Sequence, residues 1–398
     1  MKILFLTHRY PYPPESGDRI RSFHFIKHLS ARHEIHLMSI CFGKAPDKEE
    51  LRPLENFCRT VEVFPVNYWK NIMRCAPFIF SDVPLTVQLF FSKELNRRLK
   101  ERLERERFDL IYIYSSQMAT AVMEARGTAK VMDFIDVDSE KWQEYADRSG
   151  HLKKWVYARE ARCLRRFELD VERRCRASVL VSENEAALFR RLAPDAKIHA
   201  IGNGVDTDPH GSGAPANNDK DSIIFTGVMD YFPNVDGVQW FANEILPLVA
   251  RKRPEAEFII IGKNPAPAVR KLAGKSALVK VTGYVPDIKK YLSSAAVAVA
   301  PLRIARGIQN KVLEAMAAGV PVVATTPASE GIDARPGADL LIADDAREFS
   351  SHVIRLLEDA EFRAQLANSA LERVREHYSW DSMAKKMEAL MVRAAGTD

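Results

Sequence analysis

Along this chain, apolar residues gather into short unbroken runs that end in polar, Gly- or Pro-containing turns, and between the runs they return at helical spacing. KILFLT at 2–7 is followed by GDRIRSFHFIKHLSARHEIHLMSI, a pattern that predicts helix and then strand, hence a βαβ opening. FDLIYIY, AKVMDFIDV, ASVLVS and KIHAI repeat the alternation up to residue 201. Runs without polar alternation suit strands of a parallel sheet covered by helices on both faces.

The pattern breaks at NGVDTDPHGSGAPANNDKDS, which is rich in Gly, Pro, Asn and Asp and has no apolar period, so it is read as a linker. It then restarts with SIIFTG, a helix over 235–251, AEFIIIG, a helix near 266–272, ALVKVTG, a short helix, AAVAVAPL, a helix from about Asn310 to Ala318, PVVATT, LLIA and two final helices. The expected architecture is α/β, with two doubly wound Rossmann-like domains facing a cleft: 1–203, a linker at 204–222, and 223–376. Residues 377–398 form a C-terminal helix predicted to cross back to the first domain. A length of 398 residues suits two such domains.

Composition narrows the setting. Neither Ile3–Leu6 nor Pro77–Phe91, which is interrupted by Ser81, Asp82 and Pro84, has the length and continuity of a membrane span. The second run is read as a buried or interfacial loop, with burial favoured. The five cysteines form no CxxC pair and fit small buried hydrophobes in a reducing, cytoplasmic setting. Of the net charge of +5, residues 1–200 hold 35 basic against 28 acidic residues and residues 201–398 hold 23 against 25. Much of the excess lies in Arg148–Arg176, where Lys and Arg interleave with Trp155, Tyr157, Leu164, Phe167 and Leu169. That stretch suits either the anionic inner face of a membrane or an amphipathic helix packed on its own domain. No nucleic-acid module accompanies it, so nucleic acid is not expected as a partner.

The segment RGIQNKVLEAMAAG, 306–319, carries the chemistry. It follows the apolar strand ending at Pro301-Leu302 and a loop holding Arg303, Arg306 and Gly307. Free amides and the positive dipole end of the helix starting near Asn310 favour an anion. Lys311 adds positive charge where helices prefer acids, and Glu314 lies one turn further. An i,i+3 ion pair without function accounts for those two residues equally well.

KVLEAMAAGVPVVAT, with NGVD, the terminal YSW, ESGDRIRS, VSENE, FTG and TGYVPDI in the same order, resembles the GT-B family 4 of retaining, nucleotide-sugar-dependent glycosyltransferases over nearly the whole chain. More narrowly, DFIDVDSEKW, TGVMDYFPNVDGVQWF and ARGIQNKVLEAMA look like a bacterial sugar transferase branch associated with exosortase (PEP-CTERM) exopolysaccharide loci. The resemblance implies that Glu314, matching the second Glu of the family's E-x7-E motif, binds the donor ribose; Arg306 replaces the first. It implies a donor site at Gly17, Gly227, Tyr284, Val285, Arg303, Arg306, Gly307, Ile308, Gln309, Asn310, Lys311 and Glu314. The family's usual cations after FTG are absent, with Val228 and Asp236-Gly237 in the corresponding loop, so Lys311, Arg303 and Arg306 are the replacements by position.

On the acceptor side the resemblance points to Asp18 and Arg21 beside Gly17, whose conformational freedom suits a turn facing the ligand. The same residues read by themselves as an ordinary helix start with Asp18 in its first turn. DFIDVDSEKW groups Asp133, Asp136 and Asp138 at a strand end. Because GT-B enzymes do not hold a catalytic metal on such a motif, no metal or other cofactor is expected, and Asp136 and Asp138 are acid/base or acceptor candidates. The implied reaction is transfer from a nucleotide diphosphate sugar, UDP favoured, to a glycan or lipid-linked acceptor with retention, in exopolysaccharide or cell-surface glycan synthesis. A GT-B nucleotide-sugar 2-epimerase and a non-catalytic sugar-nucleotide-binding scaffold remain open, while a nicotinamide dehydrogenase lacks its GxGxxG fingerprint.

Overall fold

The structure, a computed structural model, describes residues 1–125, 127–147, 149–207, 221–305 and 308–396. The chain forms two units: Met1–Asn203 together with Met383–Asp398, and Gly204–Ser382.

The first unit is built on seven parallel strands: β1 (Lys2–Thr7), β2 (Glu34–Phe42), β3 (Thr60–Val66), β4 (Leu110–Tyr114), β5 (Ala129–Ile135), β6 (Ala177–Leu180) and β7 (Ile198–Ala200), in the order β3-β2-β1-β4-β5-β6-β7. Alternate residues of β1 serve opposite faces. Ile3 and Phe5 pack with Phe25, Ile26 and Leu29 of the helix Gly17–Leu29, whereas Leu4 and Leu6 join Leu95, Leu99, Val171 and Phe189 beneath three other helices. The helix Trp380–Ala395 belongs to this unit from Met383 onward, as a helix crossing back would. Its Met383, Met387, Leu390 and Met391 fall at i, i+4, i+7 and i+8 and close the Ile3/Phe5 face. Glu388 fixes its register by bonding His33 at 2.9 Å and Arg32 at 2.7 Å.

Arg21 sits in the middle of this unit with 0% exposure. Its Nε donates to Asp133 at 2.8 Å, Nη1 to the Gly202 carbonyl at 2.9 Å and Nη2 to the Ile201 carbonyl at 2.9 Å. Tyr112 donates to the same Asp133 oxygen. The expectation that Arg21 meets an acceptor is therefore corrected: an unpaired buried carboxylate costs several kcal/mol, and Arg21 neutralises Asp133 while fastening the end of the first unit.

The run Pro77–Phe91 also departs from its expected burial. It lies among the short helices Tyr68–Cys75, Ala76–Phe78 and Leu85–Leu89, and Phe80 is 88% exposed. Polar anchoring of the backbone holds it instead. The buried Arg159 donates to the carbonyls of Phe78, Ser81 and Val83, and the buried Glu160 accepts the Leu85 amide at 2.9 Å and the Thr86 amide at 2.8 Å. Both anchors lie on the helix His151–Arg174, so much of the basic stretch is scaffold; Arg148 at its start lies outside the described residues.

The second unit has six parallel strands: β8 (Ser222–Thr226), β9 (Glu257–Ile261), β10 (Val279–Gly283), β11 (Val297–Ala300), β12 (Val322–Ala324) and β13 (Leu341–Ile342), ordered β10-β9-β8-β11-β12-β13. The single helix expected over 235–251 is instead Phe232–Trp240, a wide π turn at Phe241–Ile245 and Leu246–Ala250. Pro247 has no N–H for the preceding turn, which loosens the ladder there. NGVD and YSW, far apart in sequence, meet: the Val205 amide donates to the Tyr378 carbonyl at 2.8 Å, and a Cβ on Gly204 would come within 2.6 Å of Trp380.

Arg21→Met is expected to cost about 3–5 kcal/mol, because it leaves the Asp133 carboxylate buried without its cation. Urea denaturation of the full chain measures it. A loss below about 1 kcal/mol would show that Arg21 is dispensable to the first unit.

Candidate functional site

Strand order reverses between β1 and β4 in the first unit and between β8 and β11 in the second, and in open α/β sheets ligands bind at the carboxyl ends of strands on either side of such a switch.

In the second unit, the end of β8 opens into Gly227. Its amide is held by the Ile261 carbonyl at 3.0 Å, and a Cβ on Gly262 would stand 1.6 Å from the Gly227 carbonyl oxygen. Only glycine permits that backbone-on-backbone contact, so the β8 loop is pinned against β9. Asn234 supports the loop by donating to the Val228 carbonyl at 2.9 Å, and it accepts a hydrogen bond from the Lys311 ammonium. Lys311, in the first turn of the helix Asn310–Ala317, also lies 4.4 Å from the centre of the Phe225 ring. Burial lowers its pKa to about 8, an effect that Glu314 partly opposes. Protein packed around Glu314 raises its carboxyl above the ordinary range, although the side chain still reaches solvent. Lys311 donates to Asn234, while Glu314, one turn further on, carries an exposed side chain.

The other second-unit candidates divide. Arg303 forms a two-pronged ion pair with Asp236, so its charge is already neutralised within the unit. Gln309 is the N-cap and Asn310 the exposed first residue of the helix, and Ile308 is half-buried against the core. Tyr284 is 74% exposed after β10, while the Val285 side chain belongs to the core, leaving its backbone as the outward group. Arg306 and Gly307 lie outside the described residues.

At the first unit's switch, His8 follows β1 and Ser115 follows β4. Ser115 and Ile135, at the ends of β4 and β5, hold φ of 76° and 73°, which for residues with side chains is backbone strain of the kind that concentrates at functional sites. Burial lowers the His8 pKa to about 4 against the opposing pull of Asp18, so the ring is neutral near pH 7. Burial opposes ionisation of Asp18 as well. Ser16 at 2.5 Å and Arg9 at 3.4 Å outweigh it and hold the carboxyl below its usual range. Gly17 begins its helix without a positive φ and with open space around it, so the conformational freedom expected of it is not used.

Asp136 accepts from Lys141 at 2.5 Å, and Asp138 lies 3.6 Å from the same ammonium while accepting from the Gln117 amide at 3.2 Å. Burial raises the Asp138 pKa. Two further carboxylates support this turn from neighbouring helices. Glu185 accepts the Val137 amide at 2.7 Å; Glu168 accepts the Ser139 amide at 3.2 Å and has its Oε2 2.5 Å from the Ser139 hydroxyl. Burial pushes Glu168 up to about 8. His8, Gln117, Glu168 and Glu185 are absent from the sequence-derived site. Glu185 closes the VSENE motif and His8 and Gln117 stand shortly after strands, signals that gain meaning once the strand order is known.

The sequence matches the family model described as glycosyltransferase family 4 over residues 20–209 and that described as glycosyl transferases group 1 over residues 220–359. A 44.6 kDa protein in the cps region of Klebsiella pneumoniae is 21% identical over 397 residues, covering 95% of this chain and 96% of that protein. Among solved structures, sucrose-phosphate synthase from Thermosynechococcus elongatus superposes with a TM-score of 0.65 at 16% identity over all of both chains. HepE of Anabaena in complex with UDP and glucose gives a TM-score of 0.60 at 16% identity, over 98% of this chain and 99% of that one. These likenesses identify the fold as GT-B.

Glu168 predicts a pH-dependent stability. Its folded pKa lies above its unfolded value near 4.5, so the unfolded state ionises first and native stability falls as pH rises from about 4.5 to about 8. Glu168→Gln, which copies the neutral acid, is expected to gain on the wild type by up to about 1.4 kcal/mol per pH unit in that window. Parallel urea melts at pH 5 and pH 8 test this, and equal differences at both values would contradict a neutral Glu168.

Proposed function

The chain belongs to glycosyltransferase family 4, and from that premise we propose that it moves a sugar from UDP to a hydroxyl of a glycan or lipid-linked acceptor, with retention at the anomeric carbon. The observation that carries the donor assignment is Lys311, a desolvated cation in the first turn of a helix beside the pinned Gly227 loop, at a switch point. UDP is favoured because the HepE structure, of the same fold, holds UDP, and the cps-region relative supports a place in exopolysaccharide synthesis.

In this reading the helix amides and the Lys311 ammonium receive the diphosphate, and the Glu314 carboxylate accepts from the ribose hydroxyls. During transfer the bond from the anomeric carbon to the diphosphate oxygen breaks and its electron pair stays with UDP. The acceptor oxygen bonds to the anomeric carbon, and its proton passes to the departing diphosphate. Lys311 favours this step because it meets charge that grows on the leaving group. Arg303 contributes through the shape of the loop, since Asp236 already neutralises it. On the acceptor side, Asp138 is the better candidate of the pair to accept a hydrogen bond from the acceptor hydroxyl, since Lys141 sits directly on Asp136. In this reading Lys311 supplies the positive charge at the leaving group, and no metal or cofactor is invoked.

Lys311→Met is expected to weaken UDP binding about 10- to 100-fold by calorimetry, the value of one charge-assisted hydrogen bond. In the wild type, affinity should hold below about pH 8, where the ammonium is charged, and fall toward tenfold per unit above it. Lys311→Met should be flat across that window; a wild-type profile equally flat would remove Lys311 from the diphosphate. Glu314→Ala should bind UDP and 2′-deoxy-UDP alike, while the wild type prefers UDP; equal preference in both proteins would end the ribose assignment.

A further inference from the structure

The helix Tyr68–Cys75 is turned inside out. Its sequence, YWKNIMRC, places Tyr68, Trp69, Ile72 and Met73 at i, i+1, i+4 and i+5, one apolar face. A helix on a water-soluble surface turns such a face inward. Here the residue turned inward is Asn71, whose side-chain amide donates to the Leu89 carbonyl at 2.7 Å and to the Phe91 carbonyl at 3.0 Å. The apolar residues face out, with Trp69 72% and Met73 70% exposed.

Neighbouring segments extend this surface. Phe80 lies 6.1 Å, centre to centre, from the ring of Trp155, which is itself exposed near the start of the helix His151–Arg174. The arrangement does not depend on apolar burial, since Arg159 and Glu160 hold the intervening backbone through hydrogen bonds. Exposed basic residues flank the aromatic ones along the chain: Lys70 and Arg74 on the helix Tyr68–Cys75, with the Arg74 guanidinium 3.7 Å from the centre of the Phe91 ring, and Lys153 and Lys154 beside Trp155. Among the described residues, Lys70, Lys153 and Lys154 have no carboxylate within ion-pair distance.

We propose that this face, Trp69, Met73, Phe80 and Trp155 flanked by Lys70, Arg74, Lys153 and Lys154, docks into the interfacial zone of an anionic phospholipid bilayer. Each part fits that medium. Apolar and aromatic side chains enter the boundary between headgroups and acyl chains, and lysines and arginines at its edge meet lipid phosphates. Exposed apolar and aromatic side chains gathered on neighbouring segments of a folded domain mark an interaction site, and nearby positive charge selects an anionic occupant. Of the basic stretch 148–176, the part that takes this role is Lys153–Trp155, because Arg159, Glu160, Glu168 and Glu172 face inward. The inference is independent of the donor assignment.

Flotation of the full chain with vesicles tests it. The wild type is expected to float with phosphatidylglycerol–phosphatidylcholine vesicles, poorly with phosphatidylcholine alone, and less at high salt. The triple variant Trp69→Ser/Met73→Ser/Phe80→Ser should lose at least about tenfold in partitioning. Its melting temperature and UDP affinity should stay unchanged, since all three side chains face solvent. Lys70→Glu/Lys153→Glu/Lys154→Glu should abolish the preference for phosphatidylglycerol. A wild type that stays in solution with anionic vesicles, or a triple variant that floats as well as the wild type, overturns the proposal. So does a wild-type dimer that the triple variant disperses without any flotation, which would assign the face to a second copy of the chain.

Discussion

A parallel strand with helices on both faces has room for polar side chains mainly at its ends, and both sheets of this protein obey that constraint. Ile3 to Leu6 in β1 and Val297 to Ala300 in β11 are buried along their length. Polar and conformationally demanding residues therefore collect where strands stop: His8 after β1, Ser115 after β4, Gly227 after β8 and Arg303 after β11. The reversal of strand order then decides which ends can face a ligand. The chemistry of the chain sits in the loops and first helical turns beyond the strand ends because its sheets leave little room elsewhere.

Burial tunes both switch points in opposite senses. In the second unit it makes a lysine easier to deprotonate, sharpening Lys311 as a partner for an anion, because an incoming diphosphate restores the charge that desolvation disfavours. In the first unit it makes carboxyls harder to ionise. Glu168 and Glu185 accept backbone amides around Asp138, so the turn bearing the acid/base candidates is held by acids inherited from other helices. Donor-side cation and acceptor-side acids are thus set by the same physical effect, applied to groups of opposite charge.

The alternation of apolar runs and helical spacing made the two α/β halves legible, and the helix Asn310–Ala317 begins where the residues predict it. Motif order did not show that NGVD and YSW meet, and the Gly204–Trp380 contact explains why a glycine stands there: no side chain fits. What the residues could not display was burial of charge. Arg21 and Asp133 look like ligand-facing groups on loops, yet they satisfy each other inside the core, and a buried ion pair has no signature in one dimension. Arg303 misleads in the same way, since its partner Asp236 lies 67 positions away. The helix Tyr68–Cys75 shows the reverse concealment. Apolar residues suggest burial, and only the hydrogen bonds of Asn71 reveal which face points inward.

The last helix gives the first unit an unusual history. The face of its sheet formed by Ile3, Phe5 and Tyr112 is closed by Met383, Met387 and Met391, residues that leave the ribosome only after the whole second unit has been made. Arg21 likewise waits for Ile201 and Gly202, about 180 residues downstream, before its guanidinium is satisfied. The half synthesised first is thus completed last, and during translation it must carry an open apolar face that attracts chaperones or aggregates. A stop codon that removes only the final helix would spare every strand and every candidate site residue, yet leave the first unit permanently in that unfinished state.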